Sequence, residues 1–171
     1  MRFLKSLPPH SWGADIGCGN GKYLITVNKE KLPLAPILAS DSSSRLLEVV
    51  RDRGFDAVVA NLLSLPYRPN TLDFFICVAV LHHLSTPQRR LEGLKSLASI
   101  LKVGGLGLIQ VWARDQHWKG HSTSYVNDNT EGVALEMAVI PGGSVLPVQK
   151  PRTPFVASDV LLPWNTTRRK G

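Results

Sequence analysis

The residues best placed to do chemistry stand near the N-terminus, in the run Ala14-Asp15-Ile16-Gly17-Cys18-Gly19-Asn20-Gly21. Glycines at 17, 19 and 21 allow a sharp backbone turn and let main-chain atoms approach a ligand with no Cβ in the way. The obvious rival is a phosphate-binding dinucleotide loop, whose fingerprint asks for Gly or Ala at position 22, where this chain has Lys22. Instead an acid, Asp15, stands two residues before the first glycine. A carboxylate there would repel a pyrophosphate and suit a ligand bearing a free ammonium group and a sulfonium. The plainer reading is an ordinary glycine-rich strand-to-helix turn.

A second acid, Asp41, follows Ala39-Ser40. At the end of the second strand of a doubly wound sheet an acid accepts hydrogen bonds from ribose hydroxyls; the bland alternative is a helix N-cap for the segment starting at Ser43, and the two are compatible. Further along, His82 and His83 follow an apolar run, and Arg89-Arg90 opens a helical segment. The histidines are candidates for orienting a substrate, or a pair that caps a strand end. The arginines are candidates for phosphate contact, or a solvated helix face.

These residues need a scaffold, and the sequence describes one. Between Trp12 and Trp112 short apolar runs alternate with helix-period segments, the pattern of an open, mostly parallel α/β sheet. Strands are expected at 11–16, 36–40, 57–60, 73–81 and 106–112. Helices are expected at 20–29, at 44–53 with Leu46, Leu47 and Val50 on one face, and after the Thr86-Pro87 start signal. That last helix is expected to bury Leu91, Leu94, Leu97, Ala98 and Leu101 and to end at Gly104-Gly105. Residues 73–81 are continuously apolar after the first, as in a strand covered on both faces. Beyond Trp112 the regularity fades; the expectation is a core over 1–113 and an irregular, partly disordered segment over 114–171, with one or two helical turns at 133–139 and no sheet.

The chain has 171 residues, enough for one sizeable core. Its hydrophobic fraction of 43% and mean hydropathy of -0.01 fit a soluble globular protein, and no apolar run approaches the roughly 20 residues that cross a bilayer. No membrane association and no signal peptide are expected. The two cysteines, Cys18 and Cys77, fall in segments read as buried, which suits a reducing compartment and excludes a disulfide framework or a Cys-based zinc site. The expected setting is cytoplasmic, with the nucleus as a second compartment. A net charge of +7 favours polyanionic partners without identifying one.

A narrower set of residues resembles a known family. The stretch Asp15-Ile16-Gly17-Cys18-Gly19-Asn20-Gly21-Lys22-Tyr23-Leu24 is joined by Val78-Ala79-Val80-Leu81-His82-His83, Arg89-Arg90, Val111-Trp112-Ala113 and Asp159-Val160-Leu161-Leu162-Pro163-Trp164. Together they are similar to the eukaryotic tRNA wobble-uridine carboxymethyl methyltransferases, which include the methyltransferase domain of the AlkB-homologue tRNA enzyme and stand-alone relatives. The resemblance implies a class I, Rossmann-like methyltransferase that uses S-adenosylmethionine. It implies methyl transfer to the carboxylate of 5-carboxymethyluridine at the first anticodon position, giving the methyl ester. It implies cofactor contacts from Asp15, Gly17, Cys18, Gly19 and Gly21, and from Asp41, Asn61, Leu62 and Val78. His82 and His83 would orient the substrate; Arg89, Arg90 and Trp164 would meet the tRNA; no metal is implied. Several relatives are activated by a small zinc-binding subunit that pairs along an edge strand, here 56–60.

The chain departs from the family at three places. Asn61 stands where relatives carry an Asp that accepts from the adenine amine, keeping a carbonyl acceptor without the charge. Residues 29–36 are longer and carry Pro33 and Pro36. The family has a covering helix before the first strand and two further strands after the Pro-Trp motif, so the expectation is a shortened member lacking the last strands, with its fifth strand at an open edge. Two other readings stay beside the main one: a non-catalytic shortened paralogue or isoform that acts by binding a partner, and a small-molecule methyltransferase sharing only the cofactor half.

Overall fold

A computed structural model describes residues 2–112, 117–118, 121–122, 136–140 and 143–148. Five strands, β1 (Gly13–Ile16), β2 (Leu38–Asp41), β3 (Val58–Val59), β4 (Leu72–Val78) and β5 (Leu101–Gln110), form one sheet in the order β3-β2-β1-β4-β5, with every neighbouring pair parallel. The helices are α1 (Arg2–Lys5), α2 (Lys22–Lys29), α3 (Ser44–Asp52) and α4 (Pro87–Ile100). This strand order places a switch point between β1 and β4, where connections leave toward opposite sides of the sheet and open a crevice at the strands' C-terminal ends. The described residues divide into two compact units, one ending at Val111 and the other beginning at Trp112.

The apolar run of β4 is buried on both faces, as its composition requires. Phe75 and Cys77 pack with Ala14, Ile16, Leu97 and Ile100 on one side, while Phe74 and Ile76 pack with Leu4 and Leu7 on the other. A third cluster joins Leu24, Ala39, Leu47 and Val50, fastening α2 and α3 to β2. On α3 two of the three residues expected on the buried face, Leu47 and Val50, are buried, while the third, Leu46, is exposed.

Several expectations are corrected. Helix α2 begins at Lys22, because the left-handed glycine turn runs on through Gly21 (φ 79°). On α4 the buried stripe is Gly93, Leu97 and Ile100, and Leu91 and Leu94 are exposed. The pattern of leucines misses this because a glycine makes the close contact: a Cβ at Gly93 would lie 2.9 Å from Leu84 Cδ1. Gly104-Gly105 does not end that helix. The chain passes from Ile100 directly into β5, where Leu101 pairs with Leu72 and Leu106 with Phe74, so residues 102–105 bulge opposite the single residue Asp73. The bulge brings Lys102 Nζ to 2.7 Å from Asp73 Oδ1. Finally, helical turns at 133–139 give way to an antiparallel hairpin of β8 (Glu136–Val139) and β9 (Val145–Val148); two short strands, β6 (His117–Trp118) and β7 (His121–Ser122), pair ahead of it. The run Pro141-Gly142-Gly143 between two apolar stretches is the turn signal that announces the hairpin.

Candidate functional site

The loop after β1 is held from three sides. Gly17, Gly19 and Gly21 all take positive φ (75°, 55° and 79°), where a side chain is strained. The amides of Gly17 and Cys18 both donate to the Ser40 carbonyl, at 2.7 and 2.9 Å, tying the loop to the end of β2. A Cβ at Gly17 would run into Val80 Cγ2, so the loop and the segment after β4 touch across the switch point. A Cβ at Gly21 would press on Val50 at 3.3 Å, whereas one at Gly19 would meet nothing within 4 Å. Of the three, Gly19 borders open space.

Two acids meet this loop. Asp41 Oδ2 accepts the Gly19 amide at 2.9 Å, and its Oδ1 accepts that of Ser43 at 2.8 Å. Ser43 itself caps α3, accepting from the Leu46 amide at 3.4 Å, so the acid shapes the entry to the helix instead of serving as its cap. Each Asp41 oxygen keeps a further lone pair for a ligand hydroxyl. Asp15 is 1% exposed, and its Oδ2 has no hydrogen-bond partner. Burial, reinforced by the charge of Asp41, pushes the Asp15 carboxyl up to about 7. An orphaned buried oxygen beside a second carboxylate lacks a cation or a donor, and a ligand bringing either would satisfy it.

The opposite wall follows β4. Val78 is half-buried at the strand end, and Ala79 takes a left-handed conformation (φ 59°) while its amide donates to Gln110 at 2.8 Å. A short 3-10 turn, Leu81–His83, then sets His82 half-buried and His83 exposed, their rings 4.4 Å apart. Burial, and then the neighbouring His83, lowers His82 to about 4, so its imidazole is neutral at physiological pH. Arg89 and Arg90 lie half-buried in the first turn of α4, and Arg90 Nη1 donates to the Leu84 carbonyl at 2.9 Å, bracing the turn that carries the histidines.

The remaining candidates are less close to open space or have other work. Asn61 is exposed, and its Oδ1 accepts the Leu63 amide at 3.0 Å, folding the turn after β3. Leu62 is buried in the core behind β1, which leaves its main chain for any ligand contact. The Cys18 and Cys77 thiols are both pushed up to about 12, chiefly by burial, so neither is a thiolate nucleophile. Trp164 lies outside the described residues. Among the described residues no group of three or more His, Cys, Asp or Glu side chains could hold a metal ion, and no helix is long and apolar enough to cross a membrane.

Sequence reasoning missed two contributors. Ser40, 1% exposed, is the acceptor that anchors the glycine loop; its position at the end of the second strand was the available signal. Tyr67 places a half-buried hydroxyl beside Ser40, with its pKa raised mainly by burial. Nothing in its proline-flanked loop marks it.

Comparison with known proteins agrees with this geometry. The family model described as "Methyltransferase domain" matches residues 14–109. The chain is 38% identical over 170 residues to the tRNA (carboxymethyluridine(34)-5-O)-methyltransferase alkbh8 of Xenopus tropicalis, covering 95% of this chain and 26% of that protein. It is 39% identical over 155 residues to the Saccharomyces cerevisiae protein of the same enzyme name, covering 90% of this chain and 53% of the relative. The chain thus spans about a quarter to a half of these relatives' length. Among solved structures, a S-adenosylmethionine-dependent methyltransferase from Aquifex aeolicus superposes with a TM-score of 0.56 at 21% identity, over 71% of this chain and 66% of that one. A chain from the complex of the Trm112 methyltransferase activator and a methyltransferase of Haloferax volcanii superposes with a TM-score of 0.51 at 18% identity, over 59% and 46%. Both likenesses concern the fold. S-adenosylmethionine is the cofactor of such a domain, and the residues present fit it: the buried Asp15 Oδ2 has no hydrogen-bond partner among the described residues, and Gly19 borders open space. The chain belongs to the methyltransferase domain family, and the relatives it resembles there are tRNA (carboxymethyluridine(34)-5-O)-methyltransferases.

Proposed function

We propose that this protein methylates the carboxylate of 5-carboxymethyluridine at the wobble position of tRNA, using S-adenosylmethionine and forming the methyl ester. The observation that carries the reading is the similarity, along nearly the whole chain, to relatives named for this substrate. The chemistry of the site supports it. When bound, the cofactor supplies an activated methyl group on a sulfonium leaving group. A carboxylate nucleophile is already ionised at neutral pH, so the protein needs no general base and no thiolate. Its task is to hold and desolvate the two reactants in line.

Asp15 and Asp41 then bind the donor side, with the glycine loop shaped by Ser40 and Val80. Val78, Asn61 and the main chain of Leu62 border the same edge. On the acceptor side, a neutral His82 suits the role assigned to it. It orients a carboxylate by hydrogen bonding without quenching its nucleophilicity, as an ion pair would. His83, exposed beside it, shares the orienting role, and Arg89, Arg90 and Trp164 are assigned to the surrounding RNA. An activating zinc-binding subunit would pair with β3, whose residues Val58 and Val59 are 47% and 57% exposed at the sheet edge. Residues 1–113 form the catalytic core in this reading, working in the cytoplasm or the nucleus.

The test is incubation with labelled S-adenosylmethionine and tRNA from cells lacking the modification, followed by nucleoside mass spectrometry, with and without a zinc-binding activator. The expected product is a wobble uridine carrying one extra methyl that mild alkali removes. Label that survives alkali, or that reaches only small molecules, contradicts the reading.

A further inference from the structure

A second feature lies outside the cofactor site, along the exposed side of α2. A groove of about 460 Å³ runs from the glycine loop past this helix to the segment after α3. Lys22, Thr26 and Lys29 line it at i, i+4 and i+7, on one helix face, which puts the two lysine backbones about 10 Å apart. Arg53 closes the other side, its Nη1 donating to the Asn20 carbonyl, so that guanidinium is fixed at the loop end of the groove. Among the described residues the one acid in the lining, Glu30, is already paired with Lys5 at 2.8 Å. Lysine and arginine offer donors and no acceptors. Their charge here is matched by no other carboxylate of the lining.

We propose that this groove seats the phosphodiester backbone of the RNA substrate. The inference rests on the tRNA reading and adds to it a second contact surface, on the far side of the glycine loop from His82 and Arg89. The groove opens at Asn20, between Gly19 and Gly21, so a strand following α2 leads toward the cofactor end of the site. Ile25 and the lysine methylenes give it an apolar floor, and the cationic heads supply the attraction. The seat reads phosphate spacing and carries no base specificity of its own.

The test is tRNA affinity as a function of salt for the wild type and the double variant Lys22→Gln/Lys29→Gln, with Arg45→Gln/Lys95→Gln as a charge-matched control away from the groove. Removing two phosphate contacts should flatten the slope of log K against log salt by roughly 1.5 and weaken binding about tenfold near 0.1 M salt. Affinity for S-adenosylmethionine should stay within about twofold, showing that the loop is intact. An unchanged slope in the double variant, or an equal change in the control, overturns the groove while leaving wild-type tRNA methylation standing. Competition by polyglutamate as strong as by single-stranded RNA also overturns it, in favour of an acidic peptide. If the wild type neither binds nor methylates tRNA, the underlying reading fails instead.

Discussion

Asp41 accepts the Gly19 amide at 2.9 Å, so the acid that closes β2 fixes the one loop glycine bordering open space. Its other oxygen turns the chain into α3 through Ser43 at 2.8 Å. One side chain thereby couples the cofactor loop to a helix start. Asp41→Ala should lower stability by about 1–3 kcal/mol, since two amides lose a charged acceptor, and should weaken cofactor binding more than tenfold. Asp41→Asn, with one carbonyl, should fall between. Chemical denaturation and cofactor titration of the three proteins check the order.

Asp15 should behave in the opposite way. It is buried with an oxygen that nothing among the described residues satisfies, so its charge opposes folding and serves the ligand. Asp15→Asn should leave the melting temperature unchanged or raise it. The same change should lower affinity for S-adenosylmethionine roughly 10- to 100-fold, the worth of a charged hydrogen bond. A variant that binds as well as the wild type would remove Asp15 from the cofactor site.

The raised Asp15 carboxyl also fixes a pH dependence. The folded protein holds this proton up to about pH 7, while the unfolded chain releases it near 3.8. Its contribution to stability is therefore full below the unfolded value and is lost as pH rises toward 7, with no further change above. A cationic cofactor favours the ionised form, so its affinity should rise with pH up to about 7 and level off above it. Near pH 6.5, calorimetry in buffers of different ionisation enthalpy should register proton release on binding. Asp15→Asn should abolish that release; a release that persists in the variant would assign it to another group.

The loop glycines should separate stability from binding. Gly17→Ala meets Val80 as well as a positive φ, so it should destabilise the fold by about 1–3 kcal/mol or more. Gly19→Ala has room, so it should lose only about 1 kcal/mol through its backbone conformation. Its new methyl group should nevertheless weaken cofactor binding at least tenfold. Thermal melts beside cofactor titrations distinguish the two, and equal losses of stability would refute the open space assigned to Gly19.

Much of this site is legible in the sequence because strand ends and glycine turns are local. Asp15, the three glycines and Asp41 sit where alternation of strands and helices places them. What stays hidden depends on contacts between distant segments. The α4 stripe could not be read from leucine spacing, because its closest contact is made by Gly93 against Leu84. The bulge at 102–105 reads as a helix stop because Gly104-Gly105 serves both purposes equally well. Ser40 acts through its carbonyl, and Tyr67 through a position set by a loop, so side-chain type reveals neither role. The pairing of Glu136–Val139 with Val145–Val148 carried a turn signal that its weak alternation obscured.

The most direct measurement is calorimetric titration of the purified chain with S-adenosylmethionine, beside Asp15→Asn. The expected result is binding of about micromolar strength, roughly -8 kcal/mol, weakened at least tenfold in the variant. No binding by the wild type, or equal binding by both proteins, would contradict a cofactor site built on the glycine loop and its buried acid.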